Sequence, residues 1–209
     1  MKQIITIQHT QSIHHTNGMV GSWTDWDLTE LGIQQAEAIG RNLAKQLDGR
    51  KFVLYASDLL RAKHTAQLVG SHLGIEPVLR QELRERNLGK CCGKSVQWLR
   101  EHIEVQERTI DDRMLSDAES RRDEWNRLKP FFNEIMGNDE ENIIIVSHGD
   151  LLSVFHAMFL KLGVESLNEA ELFGLAGGVS VMFENDAGKR FLKRMGDLSF
   201  MKEEIPAPV

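Results

Sequence analysis

Ile143-Ile144-Ile145-Val146-Ser147-His148-Gly149-Asp150 is a β-branched apolar run that breaks into a polar histidine-glycine turn. A run without polar alternation reads as a strand buried on both faces, the mark of a parallel sheet covered by helices. A second such run, Ile4-Ile5-Thr6-Ile7, passes into Gln8-His9-Thr10-Gln11-Ser12. In open sheets of this kind ligands sit beyond the carboxyl ends of the strands. The pattern therefore predicts that His9 and His148 face one crevice. Such a pair suits covalent chemistry at phosphorus, one imidazole attacking and the other binding the transferred group.

Outward from these strands, helix and strand signals alternate. Ala36, Ile39, Leu43 and Leu47 recur at helical spacing behind Thr29, a good N-cap, which predicts a helix over 29–47. Phe52-Val53-Leu54-Tyr55 reads as a strand, and Ala62, Ala66, Val69 and Leu73 mark a helix ending near Gly74. Trp125, Leu128, Phe132 and Ile135 mark another, with Pro130 placed to kink it. Leu151, Phe155, Met158 and Leu162 align on the helix after His148, and 179–183 with 191–195 form a closing strand pair around Asn185-Asp186-Ala187-Gly188. The expected fold is α/β: a three-layer α/β/α sandwich with a mostly parallel central sheet, in one domain over 1–209. The charged stretch from Arg84 to about Ser120 has weak periodicity. It reads as an insertion or lid over the carboxyl edge of the sheet, with a solvated helical excursion as the alternative. The tail Ile205-Pro206-Ala207-Pro208-Val209 is expected to be loose.

The 209 residues carry a formal charge of -6, with 41% hydrophobic and 27% charged residues, as in an ordinary globular protein. The acidic balance gives no reason to expect nucleic acid or an anionic membrane as partner. No run approaches the roughly 18 apolar residues of a membrane span. Met1-Lys2-Gln3-Ile4-Ile5-Thr6 is too short and β-like for a signal peptide, so a reducing cytoplasm is the expected compartment. The two cysteines, Cys91 and Cys92, are neighbours and make no disulfide framework; vicinal thiols leave a redox role as an alternative.

Four ordered motifs bear on function. They are Asp27-Leu28-Thr29-Glu30-Leu31-Gly32-Ile33-Gln34-Gln35-Ala36, Ser57-Asp58-Leu59-Leu60-Arg61-Ala62-Lys63-His64-Thr65-Ala66, Leu83-Arg84-Glu85-Arg86-Asn87-Leu88-Gly89 and Val146-Ser147-His148-Gly149. Together they resemble the histidine phosphatase superfamily, which includes the phosphoglycerate mutases, over most of the chain. The resemblance implies a phosphoglycerate mutase-like fold and a ping-pong displacement. His9 would take the phosphoryl group, Arg61 and His148 would bind it, and Glu85 would protonate the leaving oxygen and then deprotonate the attacking water. It implies no metal and no other cofactor, because arginine and histidine donors supply the charge. Catalysis would need His9 neutral, His148 as donor and Glu85 protonated at the start, the last by burial or a nearby anion.

The first motif departs from the family's Arg-His-Gly. Gln8 stands in place of a phosphate-binding arginine, and losing one charge-assisted contact costs about 1.5–3 kcal/mol. Thr10 replaces glycine. His15 falls where many members carry an asparagine that contacts phosphate, and a protonated His15 would restore part of the missing charge. Lys90, Arg84 and Arg86 are further candidates for holding an anion, and Trp23 and Trp26 for lining the site or packing beneath it.

The leading expectation is a metal-independent phosphomonoester phosphatase acting on a small phosphorylated metabolite or a phosphoprotein, of unspecified oligomeric state. Gln8 and Thr10 motivate an alternative, a weakened phosphate-binding protein. A phosphoglycerate mutase is the second alternative. A metal site on His9, His14 and His15 is the third, although their spacing matches no established metal signature.

Overall fold

The computed structural model describes residues 1–47 and 49–202; the tail from Ile205 lies outside them. Its centre is a six-stranded sheet ordered β3-β2-β4-β1-β5-β6. The strands are β1 (Lys2–Gln8), β2 (Val53–Ser57), β3 (Val78–Arg80), β4 (Asn142–Ser147), β5 (Val179–Glu184) and β6 (Arg190–Asp197). β3, β2, β4 and β1 run parallel, and β5 and β6 add an antiparallel edge. The β1–β4 register pairs Ile4 with Ile143 and Gln8 with Ser147. It therefore sets His9 and His148 side by side at the carboxyl edge, where the His9 amide donates to the Ser147 carbonyl at 2.9 Å.

Helices cover both faces, which is why the interior residues of β1 and β4 are buried on both faces and mostly apolar. Ile5, Ile7, Leu54, Ile144 and Val146 pack with Ile39, Leu43, Ala62, Ala66 and Val69 of α2 (Glu30–Leu47) and α3 (Leu60–Leu73). Ile4, Ile143 and Ile145 pack with Leu128, Phe131, Phe132, Leu151, Phe155 and Phe159 of α5 (Arg121–Gly137) and α6 (Gly149–Phe159). The three layers are those expected. Thr29 acts as the N-cap of α2, its hydroxyl accepting from Gly32 N at 3.0 Å. Gly74, at φ 67°, terminates α3.

Some local expectations fail for physical reasons. Leu162 is outside α6, which stops at Phe159; Lys161 turns the chain at φ 59° and leaves Leu162 exposed. β2 lies later than its most apolar residues suggest, because Ala56 and Ser57 continue the pairing to β3. β3 itself is a three-residue edge strand with Val78 and Leu79 exposed, too short for an alternation signal. α5 continues through Pro130.

Residues 84–120 contain the short helix α4 (Val96–His102) and a turn at Gly89–Cys91. Cys91, Leu115 and Ala118 form a small core with Val20. Backbone bonds from Val20 N to Lys94 O (2.8 Å) and from Val96 N to Gly18 O (2.9 Å) fasten the stretch to the loop after the single-turn helix α1 (His14–Asn17). Cys91 is buried in this core, and burial pushes its thiol up to about 11, away from the thiolate form, while Cys92 beside it is half-buried. No described helix is long and apolar enough to cross a membrane.

Candidate active site

The carboxyl edge of the sheet opens into a cavity of about 540 Å³. Gln8, His9, His14, His15, Glu85, Gly149 and Asp150 line its polar side; Phe173, Leu175, Ala176 and Leu198 line its apolar side.

His9 follows β1 and is 2% exposed. Its Nδ1 lies 2.8 Å from the Thr10 carbonyl, so Nδ1 carries the proton and Nε2 keeps its lone pair. Arg61, in the first turn of α3, is as buried and directs Nε to that Nε2 at 3.2 Å. The other guanidinium nitrogens donate to Thr24 O at 2.9 Å and Ser22 O at 2.7 Å. Those carbonyls fix the plane of the fork while leaving the charge without a carboxylate partner of its own. Burial, then Arg61, holds the His9 imidazole well below its usual range. Burial also lowers Arg61, to about 10, which leaves it fully charged at neutral pH.

His148 precedes α6, its ring centre 5.1 Å from that of His9. Nε2 meets the Ser57 hydroxyl at 2.9 Å, and Nδ1 is buried with no hydrogen-bond partner. Burial and Arg61 hold it neutral too. With both rings held neutral, the donor role expected of His148 rests on its tautomer, which can differ from that of His9. If the Ser57 hydroxyl donates to Nε2, Nδ1–H becomes a donor without a protein acceptor.

Glu85 lies across the cavity wall. Burial, then Asp150, pushes its carboxyl up to about 7, against the lowering effect of amide donors Arg86 N (3.0 Å) and Leu151 N (3.2 Å). Both causes named from the sequence, burial and a nearby anion, are present. The Arg127 guanidinium clamps the loop beneath by donating to the carbonyls of Glu82, Arg84 and Glu85. Trp23 adds a bond from Nε1 to Glu85 O at 2.6 Å, so it packs beneath the site and is not among the residues that line the cavity.

The family model of the histidine phosphatase superfamily, branch 1, matches residues 4–197. The chain belongs to the histidine phosphatase superfamily. Among curated relatives, this superfamily member is 32% identical to a 2,3-bisphosphoglycerate-dependent phosphoglycerate mutase of Rhizobium etli, over 94% of this chain and 97% of that one. It is 30% identical to a protein of Hydrogenobacter thermophilus provisionally named phosphoserine phosphatase 2, over 80% of this chain and 83% of that one. Its fold is shared with the mycobacterial glucosyl-3-phosphoglycerate phosphatase solved with inorganic phosphate. There the TM-score is 0.79 at 21% identity, covering 97% of this chain and 100% of that one.

Within this superfamily fold several sequence expectations need correction. The cations proposed to hold an anion are paired elsewhere. Arg84 is bidentate to Asp58 (2.7 and 2.6 Å), Arg86 pairs with Glu107 at 2.9 Å, and Lys90 pairs with Glu104. Thr10 turns its hydroxyl away to donate to Gly32 O at 2.8 Å. The close backbone approach occurs instead at Gly32, where a Cβ would sit 1.9 Å from Gln11 O. Gln8 lies at the cavity wall beside Gly149, whose added Cβ would be 3.3 Å from Gln8 Nε2. His15 stacks on His9, ring centres 5.4 Å apart and 9° from parallel, but burial and Arg61 lower its pKa. It therefore restores no positive charge in the free site.

Ser57, Asp150 and Arg127 were not singled out from the sequence. Ser57 and Asp150 stand inside quoted motifs, at a strand end and two residues past His148, so position could have flagged them. Arg127 is an ordinary helical arginine, and nothing local distinguishes it. One group among the described residues has the geometry to hold a metal: His9, His14 and His15, with one ligand atom from each ring within 4.8 Å of the others.

Proposed function

We propose that this protein is a metal-independent phosphomonoester phosphatase working through phosphohistidine at His9. The observation that carries the reading is the buried Arg61 Nε–His9 Nε2 contact at 3.2 Å, beside His148, with His9 and Glu85 both lining the cavity. In the first step His9 Nε2 attacks phosphorus and the P–O ester bond breaks. Arg61, with Nδ1–H of His148, stabilises the phosphoryl oxygens, and Gln8 and His15 line the same end of the cavity as neutral phosphate contacts. Glu85, protonated, gives its proton to the leaving alcohol. In the second step Glu85 as carboxylate takes a proton from water, the water oxygen attacks phosphorus, and the P–N bond breaks to release phosphate.

The cavity lining favours hydrolysis of a small metabolite over mutase chemistry. Among the described residues that line it there is no lysine or arginine, and its outer wall is apolar at Phe173, Leu175 and Leu198. A mutase must retain a bisphosphate that also bears a carboxylate, and no free cation at this wall would hold the second anionic group. A neutral alcohol leaving group fits better. The mutase reading is favoured by the names of curated relatives such as that of Rhizobium etli. The weakened-binder reading is favoured by Gln8.

Phosphate release from a panel of phosphomonoesters, with chelator present, tests the assignment for wild type and His9→Ala side by side. We expect release from uncharged-alcohol esters and a loss of at least about 10³-fold in the variant, about 4 kcal/mol of barrier. Transfer from 2,3-bisphosphoglycerate to a phosphoglycerate in excess over hydrolysis would establish the mutase instead. Phosphate binding without turnover would establish the binder.

A further inference from the structure

We infer that His9, His14 and His15 also form a binding site for one borderline divalent metal ion of the zinc class, and that metal and phosphoryl group compete for His9. The second half rests on the proposed function; the first does not.

The site is built by three adjacent features. Each ring of the group can bring one nitrogen within 4.8 Å of the others. His9 presents Nε2 because its Nδ1–H is committed to the Thr10 carbonyl at 2.8 Å, the outer hydrogen bond that orients metal-binding imidazoles generally. Ser12, fully buried, lies against the other two: its hydroxyl meets His14 Nδ1 at 2.6 Å and can accept from Nδ1–H, while its amide donates to His15 Nδ1 at 3.2 Å, a bond that gives way when His15 carries its proton on Nδ1 and turns Nε2 to the metal. Gly21 makes room for the His14 ring, since a Cβ there would sit 2.7 Å from Cδ2. His15 is exposed on its outer side, which leaves an entry path.

Three imidazoles suit zinc, copper or nickel and not magnesium or calcium, which take oxygen. Zinc–nitrogen bonds of about 2.0–2.1 Å require the rings to close by a small rotation, and a fourth position stays open to water. Arg61 must give up its bond to His9 Nε2 and swing aside, and because the guanidinium is one plane its bonds to Ser22 O and Thr24 O shift with it. Its charge opposes the metal, and Asp150 on the same cavity offsets part of it. A metal on His9 Nε2 takes the lone pair that would attack phosphorus, so binding is inhibitory and reversible by chelation.

Cobalt(II), a spectroscopic stand-in for zinc, provides the direct readout on the full chain. We expect one equivalent to give the intense visible bands of a tetrahedral nitrogen site, displaced by one equivalent of zinc. His14→Gln and His15→Gln, both on the partly exposed short helix, should each weaken cobalt binding by about tenfold or more. Zinc should inhibit phosphate release by the wild type and do so less well in either variant. Octahedral, weak spectra in the wild type, or affinities unchanged in both variants, overturn the site. Binding that is lost in the variants but leaves phosphate release unaffected overturns the competition while keeping the site. A metal-binding protein that releases no phosphate from any ester with chelator present marks a failure of the phosphatase reading alone.

Discussion

At one end of the cavity His9, His148 and Arg61 bond to backbone carbonyls, a hydroxyl and each other. At the other, Glu85 sits against Asp150, with Glu124 buried behind it among Arg86 and Arg121. Burial acts on both ends, and the neighbours reinforce it in each. Arg61 adds to the burial that keeps the histidines neutral; Asp150 adds to the burial that keeps Glu85 protonated. A neutral imidazole at His9 and a carboxyl at Glu85 that keeps much of its proton near neutral pH are therefore both present in the free site, as the proposed mechanism requires. One fold achieves this by segregating its carboxylates from its imidazoles.

The largest effect expected is at the acid end. With an alkyl phosphate, Glu85→Gln should lower kcat by about 10²–10⁴-fold, the usual worth of a positioned general acid. With p-nitrophenyl phosphate, whose leaving group needs no proton, the loss of the first step should be much smaller. Because burial and Asp150 push Glu85 up to about 7 in the free site, wild-type kcat/KM for alkyl esters should fall as pH rises through that value, and the variant should lack this limb. Equal losses on both substrates would remove Glu85 from the acid role.

Next is the basic end. Arg61→Lys keeps a charge but loses the planar fork held by Ser22 O and Thr24 O. A loss of about 10²-fold in kcat/KM is expected, in the range of one oxyanion donor. A loss below about threefold, read in the same assay, would mean that charge alone suffices there. Gln8→Arg tests the gap in that cationic set. A guanidinium beside Gly149 should raise kcat/KM by about tenfold, which is about 1.4 kcal/mol. No gain would show that the neutral first motif is compensated, and would direct attention to His14 and His15.

The fold and the core of this comparison were readable in the chain because both depend on local pattern. Two β-branched runs ending in histidine specify buried parallel strands, and equal register then brings His9 and His148 together. Arg61 was placed by the first turn after β2, and Glu85 by its motif. What escaped depends on partners distant in sequence. Arg84, Arg86 and Lys90 look like free cations in the chain, and only tertiary packing joins them to Asp58, Glu107 and Glu104. Arg127 carries no local mark, since its role is to meet carbonyls more than 40 residues away. The histidine cluster ranks only third among the alternative readings of the chain, because a strand end, a turn and one helical turn bring the rings together without a regular repeat.

The smallest effect concerns stability and probes how far the acid end extends. Glu124 is fully buried; Oε1 has no hydrogen-bond partner, and Oε2 accepts from Arg121 at 3.3 Å. Burial outweighs Arg121 and pushes its carboxyl up to about 8, with Asp150 and Glu85 adding to the rise. A carboxyl whose folded pKa is above its unfolded value holds its proton more tightly when folded. Its contribution to stability is full below the unfolded value and is lost as pH rises through the folded one. Glu124→Gln has no proton to lose, so its Tm should match that of wild type near pH 5 and exceed it by a few degrees at pH 9, at about 2–4 °C per kcal/mol for a chain of this size. Thermal unfolding at the two pH values decides the matter. A variant less stable at pH 9 than wild type would mean that the Arg121–Glu124 pair outweighs desolvation. The acid end would then be an ion-pair network in which Glu85 is the exception, and the segregation of carboxylates would stop at the cavity wall.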